Sequence, residues 1–544
     1  MTLATPLRWL LSKVAPIGSF PSHSGPYAVG SCDVEIPIAD LHSPSPKPED
    51  ADIHTVVFRI FYPCEPASST KSVRWIPDPQ RAYMRAYARY LGINFAVSDH
   101  LAFLSHVLYY IAIPVRRNAM LLPPQTSSGK WPVMIFSHGL AGCRNTYSWI
   151  LGAVASYGVV VIAPDHRDRS AAITYIRATD EHPPKVLTYN RIPHTAIDIV
   201  YRGRDRQMRI RLWELGLIHS ALLKINAGVS VRNLDPNSTR FRKTDTNEVL
   251  SIFVHRLSVD EPGSIIWAGH SFGSASVVQL VKSTYWRIPA DDPDGNSTSL
   301  HPPYTPLFTP SATSSIARQI TPSSPLVLLD MWAMPLDSPY TFRLSQMPLP
   351  CYATPSSSAG STTLALLSAA FAEWPANLDR LKRALCPTPA TETSLRNPHA
   401  FTPTPIDVAG PRLFYPANSA HLYQSDFAIL FPRATRRMFN GGGGEPTRLL
   451  RLNQRAIVEF LRDIGMEVGP PNARGLADGE VQGEVGVGEK RGDWRILARD
   501  GGGIRGWMAV EVMGGTEVVE GGTSKLDEVR EIDVLGEVVS SGQK

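Results

Sequence analysis

One five-residue stretch constrains this chain more than any other: Gly269-His270-Ser271-Phe272-Gly273. It follows the apolar run Ser264-Ile265-Ile266-Trp267-Ala268 and precedes Ser274 to Val281, which reads as a helix. A serine flanked by glycines two residues away on each side, set between a strand and a helix, is the sequence form of a strained strand-to-helix turn. Only glycine lets the backbone close that sharply, and the turn lifts the serine hydroxyl above the sheet. The following helix aims its first amides at any negative charge that develops there. The pattern predicts a nucleophilic Ser271.

The surrounding sequence alternates short strands with helices. Val133 to Ser137, Gly158 to Ala163 and Pro325 to Leu329 are β-rich runs ending at His138, Pro164-Asp165 and Asp330. An amphipathic stretch from about Ile197 to Ala227 reads as a long helix, and Leu450 to Ile464 as a closing one. Continuous apolar strands separated by helices predict an α/β fold, with a mostly parallel central sheet covered on both faces. In such folds the site lies at the carboxyl ends of the strands, where His138, Asp165, Ser271 and Asp330 all fall.

A serine nucleophile needs a histidine to take its proton and an acid to orient that histidine. In sheets of this design the chain order is serine, acid, histidine. Asp330 ends a strand after Ser271 and is the expected acid; the competing role is a cap for the residues that follow. Beyond it lie His399, in the Pro-rich segment Arg396-Asn397-Pro398, and His421, after the strand-like Arg412 to Tyr415. His421 is the expected base. The developing oxyanion should meet the backbone N–H of Phe272 and that of Leu140, in the glycine-bearing loop His138-Gly139-Leu140-Ala141-Gly142. His138 reads as an anchor of that loop rather than a proton carrier. No H-E-x-x-H cluster occurs, so neither metal nor cofactor is expected.

These segments carry a family resemblance. FSHGLAGCRNTYS (136–148), DHRDRSAAITY (165–175), AGHSFGSASVVQ (268–279), LLDMWAMPL (328–336) and the loop ending at His421 resemble, in order, the plasma and intracellular type II platelet-activating factor acetylhydrolases. Weaker matches are GPYAVGSCDV (25–34) and FRIFYPCEP (58–66). The resemblance spans about residues 20–465. It implies an α/β-hydrolase fold and calcium-independent hydrolysis of acetyl or oxidised sn-2 acyl groups of phospholipids. By position it makes Ser271 the nucleophile, Asp330 the acid, His421 the base, and Leu140 and Phe272 the amide donors. Two features depart from the pattern: Ser274 stands where the family often has glycine, and a long insertion separates Ser271 from Asp330. Alternative readings are a general short-chain or cutinase-like ester hydrolase, and a hydrolase-like scaffold without catalysis.

Composition limits the partners. The net charge of +5 over 544 residues gives no reason to expect nucleic acid. Five cysteines, widely spaced and without C-x-x-C, suggest neither a disulfide framework nor a zinc site. Without an apolar run of about 18 residues or a signal-like leader, the chain reads as cytoplasmic, at most peripheral to membranes. Residues 101–111 are rich in aromatic and aliphatic side chains. They read as a helix packed on the sheet, or as an interfacial helix placing Phe103, Leu104, Leu108 and Tyr109 in lipid with Arg116 and Arg117 at phosphate. The ion-rich block His166 to Ser170 reads as a structural lattice. Pro/Ser-rich stretches at 284–324, 354–363 and 387–411 read as surface insertions. The catalytic domain is expected over 20–466, with 467–544 a Gly-rich disordered tail in which Trp494 and Trp507 leave room for a small β-element.

Overall fold

A computed structural model describes residues 18–69, 71–90, 108–236, 248–288, 302–353, 360–390, 410–433, 435, 445–472 and 493–511. The strands are β1 (Ala28–Pro37), β2 (Thr55–Cys64), β3 (Ser72–Arg74), β4 (Ala112–Arg117), β5 (Trp131–Ser137), β6 (Val160–Pro164), β7 (Ile173–Ile176), β8 (Lys185–Thr188), β9 (Leu257–Ser258), β10 (Ile265–His270), β11 (Leu326–Leu329), β12 (Thr363–Leu366), β13 (Arg412–Pro416) and β14 (Trp507–Ala509). They assemble in the order β14-β13-β12-β11-β10-β5-β6-β2-β1-β4-β3, with β9 beside β5 and β7–β8 a separate hairpin. From β13 through β6 every neighbour runs parallel. This is the expected α/β-hydrolase architecture.

The continuous apolar runs serve both faces because side chains alternate along a strand. Val133 and Ile135 of β5 join one buried cluster, while Met134 and Phe136 join the other. Helices α2 (Asp198–Asn226) and α3 (Phe272–Trp286) pack on the first face through residues such as Leu215, Leu222 and Val277. Helices α1 (Ser148–Ala155) and α5 (Pro446–Asp463) cover the second through Trp149, Val154, Ile457 and Phe460. No helix among the described residues is long and apolar enough to cross a membrane.

Four expectations change. Leu108, read either as core or as lipid-facing, is buried in the second cluster, and Tyr109 packs partly buried against it; Phe103 and Leu104 lie outside the described residues. Arg116 and Arg117 belong to β4, where the Arg116 guanidinium donates to the Ser69 carbonyl at 2.9 Å. Part of the 284–324 insertion is core: helix α4 (Ser315–Gln319) is capped by Ser314, and Leu307, Phe308 and Ile316 are buried. Thr363, assigned to another insertion, begins β12 inside the sheet.

The fourth change concerns the tail. The folded unit continues past Met466, since Gly469 N–H donates to the Tyr157 carbonyl at 2.7 Å and β14 adds an antiparallel strand to β13. Trp507 is buried, stacks on Phe414 at 5.5 Å, and donates from Nε1 to the Ile496 carbonyl at 2.8 Å. Glycine-rich composition hid this element, because an edge strand needs only backbone pairing and one anchoring side chain. A chain ending at Met466, which loses β14 and Trp507, should therefore melt below the full chain. Trp507→Ala should cost about 3 kcal/mol or more in chemical denaturation, the usual range for emptying a buried tryptophan site. An unchanged denaturation midpoint would return Trp507 to an unstructured tail.

Candidate active site

The turn after β10 is strained as its sequence requires. Ser271 adopts φ 56°, ψ −119°, a region that side-chain-bearing residues rarely occupy. A Cβ on Gly269 would lie 2.5 Å from the Gly273 carbonyl carbon, and one on Gly273 would lie 2.0 Å from the Ser137 carbonyl oxygen. Both obstacles are backbone, so neither glycine can carry a side chain. The turn is tied to β11: Ser271 N–H donates to the Leu329 carbonyl at 2.8 Å, and Ser274 Oγ donates to the same oxygen at 3.0 Å. Ser274, the departure from the family pattern, thus pins α3 to the strand that leads to Asp330.

Asp330 continues β11 by one residue, its N–H donating to the Leu366 carbonyl at 2.8 Å, and then turns at φ 40°. Its buried carboxylate accepts from Ser368 N–H and lies 3.0 Å from His421 Nδ1. Burial pushes the Asp330 carboxyl up to about 7, against the opposing pull of the His270 ring and Ser368. His421 follows β13 and a loop held by Ser419, whose Oγ accepts from Ala369 N–H at 2.7 Å. The imidazole of His421 is clamped: Phe371 stacks on it at 4.4 Å and 8°, and His270 at 4.4 Å and 28°. Ser271 Oγ is buried beside this group and makes no hydrogen bond among the described residues. His399, the other histidine weighed from the sequence, lies outside the described residues.

The loop after β5 comes up against the nucleophile. A Cβ on Gly139 would sit 3.1 Å from Ser271 Cβ, so the loop that carries Leu140 packs against the nucleophile turn. Neither Leu140 N–H nor Phe272 N–H finds a backbone acceptor outside helix and strand among the described residues. For Phe272 the reason is general, since the first amides of a helix have no intrahelical partner. His138 is buried in hydrogen bonds, Nδ1 at 2.7 Å from the Gly139 oxygen and Nε2 accepting from His166 N–H at 3.0 Å. Burial lowers its pKa to about 4, in keeping with an anchor rather than a proton carrier.

Beneath this loop lies a buried ion-pair lattice. Arg211 pairs with Asp168 at 2.8 Å and donates to the His138 carbonyl at 2.6 Å, while Arg167 pairs with Glu35 at 2.8 Å and Arg144 with Asp165 at 2.6 Å. All six charged side chains are largely or fully buried. Such pairs rarely add net stability but are costly to break singly, so they fix one arrangement of the loop. His166 shares the lattice through Glu214 at 2.9 Å.

His270, Asp330 and His421 offer ligand-type atoms within 4.8 Å of one another. Asp330 is hydrogen-bonded to Ser368 and His421, and His270 Nδ1 to the Tyr147 hydroxyl, while His270 Nε2 is buried without a hydrogen-bond partner among the described residues. Sequence reasoning singled out Ser271, Asp330, His421, Leu140 and Phe272, which the fold gathers at one end of the sheet. It missed Tyr147, Ser368, Phe371 and His270. His270 and Tyr147 stood inside segments already singled out, His270 at a position whose residue type the G-x-S-x-G pattern leaves open.

Comparison with known proteins gives the chain a family. The family model for platelet-activating factor acetylhydrolase, isoform II, matches residues 14–474. A Schizosaccharomyces pombe protein described as a "putative phospholipase A2" is 29% identical over 466 residues, 82% of this chain and 92% of that protein. The platelet-activating factor acetylhydrolases of Cavia porcellus and Gallus gallus are 30% and 26% identical, over 48% and 52% of this chain. Those two matches cover 52% and 64% of the relatives' own lengths. Among solved structures, a ferulic acid esterase from Streptomyces cinnamoneus superposes with a TM-score of 0.44 at 14% identity, covering 82% of this chain and 92% of the other.

Proposed function

Because the chain belongs to the platelet-activating factor acetylhydrolase isoform II family, we propose that it removes short or oxidised sn-2 acyl groups from phospholipids, with Ser271 as nucleophile. It is a carboxylic ester hydrolase. The observation that carries the assignment of roles is the hydrogen bond between His421 Nδ1 and buried Asp330, beside a strained Ser271. Ser271 Oγ attacks the sn-2 carbonyl carbon while His421 Nε2 takes its proton. Asp330 holds the Nδ1–H and stabilises the imidazolium. Leu140 and Phe272 N–H bind the oxyanion of the tetrahedral intermediate. His421 then protonates the departing lysophospholipid oxygen, leaving an acyl-serine, and water reverses the sequence to free the acid and Ser271. Hydrogen bonds between nucleophile and base commonly tighten only once substrate is bound, which accounts for the unbonded Ser271 Oγ. Peripheral contact with a phospholipid surface follows from such a substrate.

Acyl length is the discriminating experiment. Phosphatidylcholine bearing sn-2 acetyl should be hydrolysed at least about a hundredfold faster, in kcat/KM, than the long-chain sn-2 ester. Equal rates would point to a general phospholipase. Turnover of simple esters alone would point to a short-chain esterase, and no turnover of any ester to a binding scaffold.

The backbone amides supply the oxyanion donors in this mechanism, so chelators should not affect it. Activity on a chromogenic acetyl ester is expected to stay within about 20% of control in excess EDTA. A loss restored by added calcium or zinc would show that His270, Asp330 and His421 hold a metal.

A further inference from the structure

Tyr147 starts the turn into α1, far in sequence from Ser271, yet its hydroxyl reaches two parts of the site. It lies 3.2 Å from Gly139 N and 2.8 Å from His270 Nδ1. The Gly139 amide can only donate, so the phenol oxygen accepts from it. A hydroxyl has a single proton, and His270 Nδ1 is the one other polar atom bonded to it among the described residues. Donation from the phenol gives its one proton an acceptor at Nδ1 and leaves the His270 proton on Nε2, which is buried without a hydrogen-bond partner among the described residues.

That tautomer matters because of what lies against the ring. His270 stacks on one face of His421 and Phe371 on the other, both at 4.4 Å. When His421 takes the serine proton it becomes a cation between two π faces, an attractive arrangement only while His270 stays neutral. Burial and the neighbouring His421 ring hold His270 well below the usual histidine range, and burial raises the Tyr147 phenol so that it keeps its proton.

Resting on the serine-esterase reading above, we propose that Tyr147 is a positioning residue that joins the two halves of the reaction. Its hydroxyl fixes His270 as the neutral Nε2–H form against the base His421. The same oxygen holds the Gly139 amide, and with it the Leu140 donor, against the nucleophile turn. Its geometry couples proton transfer to oxyanion binding through one side chain.

The test uses the full chain and a chromogenic acetyl ester, with turnover expressed per site titrated by a fluorophosphonate, so that only competent sites are counted. Tyr147→Phe should lower kcat about tenfold with KM within about twofold, and the melting temperature should stay within a few degrees. In a His270→Asn background, the same change should cost about threefold or less, because only the hold on the Gly139 amide is then left to lose. Unchanged kcat in Tyr147→Phe, or losses that simply multiply in the double variant, would overturn the proposal. A wild-type chain that neither turns over esters nor takes the fluorophosphonate would instead overturn the serine-esterase reading itself.

Discussion

Ser271→Ala should lower kcat for ester hydrolysis by about 10⁴- to 10⁶-fold, the range seen when the nucleophile of a Ser-His-Asp site is removed. The fold should survive. The deleted Oγ makes no hydrogen bond among the described residues, and the strain at this position belongs to the backbone turn that alanine also adopts. The melting temperature is expected to move by only a few degrees. Adding His421→Ala should cost little more, because the members of such a unit act together. Steady-state kinetics of the single and double variants check this. Retained activity in Ser271→Ala, or two losses that multiply, would break the assignment.

Asp330→Asn should lower kcat by about 10³- to 10⁴-fold with small change in KM, because an amide in place of the carboxylate favours the wrong imidazole tautomer and leaves the imidazolium without a counter-charge. The same pair sets the pH dependence. Burial lifts the Asp330 carboxyl to about 7, so as pH falls through that value the Asp330–His421 pair takes up a second proton and no base remains. Activity should rise across roughly pH 5–8 with a limb near 7 in the wild type. The pair titrates as a unit, so the limb belongs to both residues. A flat profile over that range, or an Asp330→Asn variant as active as wild type, would leave Asp330 a structural cap.

Much of this site was legible in the sequence because its chemistry is bound to short local patterns. The glycines of Gly269-His270-Ser271-Phe272-Gly273 are dictated by backbone contact at 2.5 Å and 2.0 Å, and such constraints survive as letters. Asp330 was readable because it ends an apolar strand. The parallel order of β5, β10 and β11 follows from apolar runs long enough to bury both faces. What escaped notice depends on contacts distant in sequence. Tyr147 meets His270 across 123 positions, and Ser368 meets Asp330 across 38. No periodicity encodes either. The tail misled for a different reason: composition averages over many residues, whereas β14 depends on backbone pairing and on Trp507 against Phe414. Leu108 was left between two readings because a run of aromatic and aliphatic residues reads alike whether it faces lipid or a core, and only its burial against the second cluster separates the two.

The central claim is that an acyl group passes through Ser271. The full chain, mixed with p-nitrophenyl acetate and quenched in acid within the first turnover, should carry one acetyl group, and peptide mass spectrometry should place it on Ser271. An acetyl group on any other residue, or ester turnover with no covalent intermediate on Ser271 at any quench time, would contradict the account.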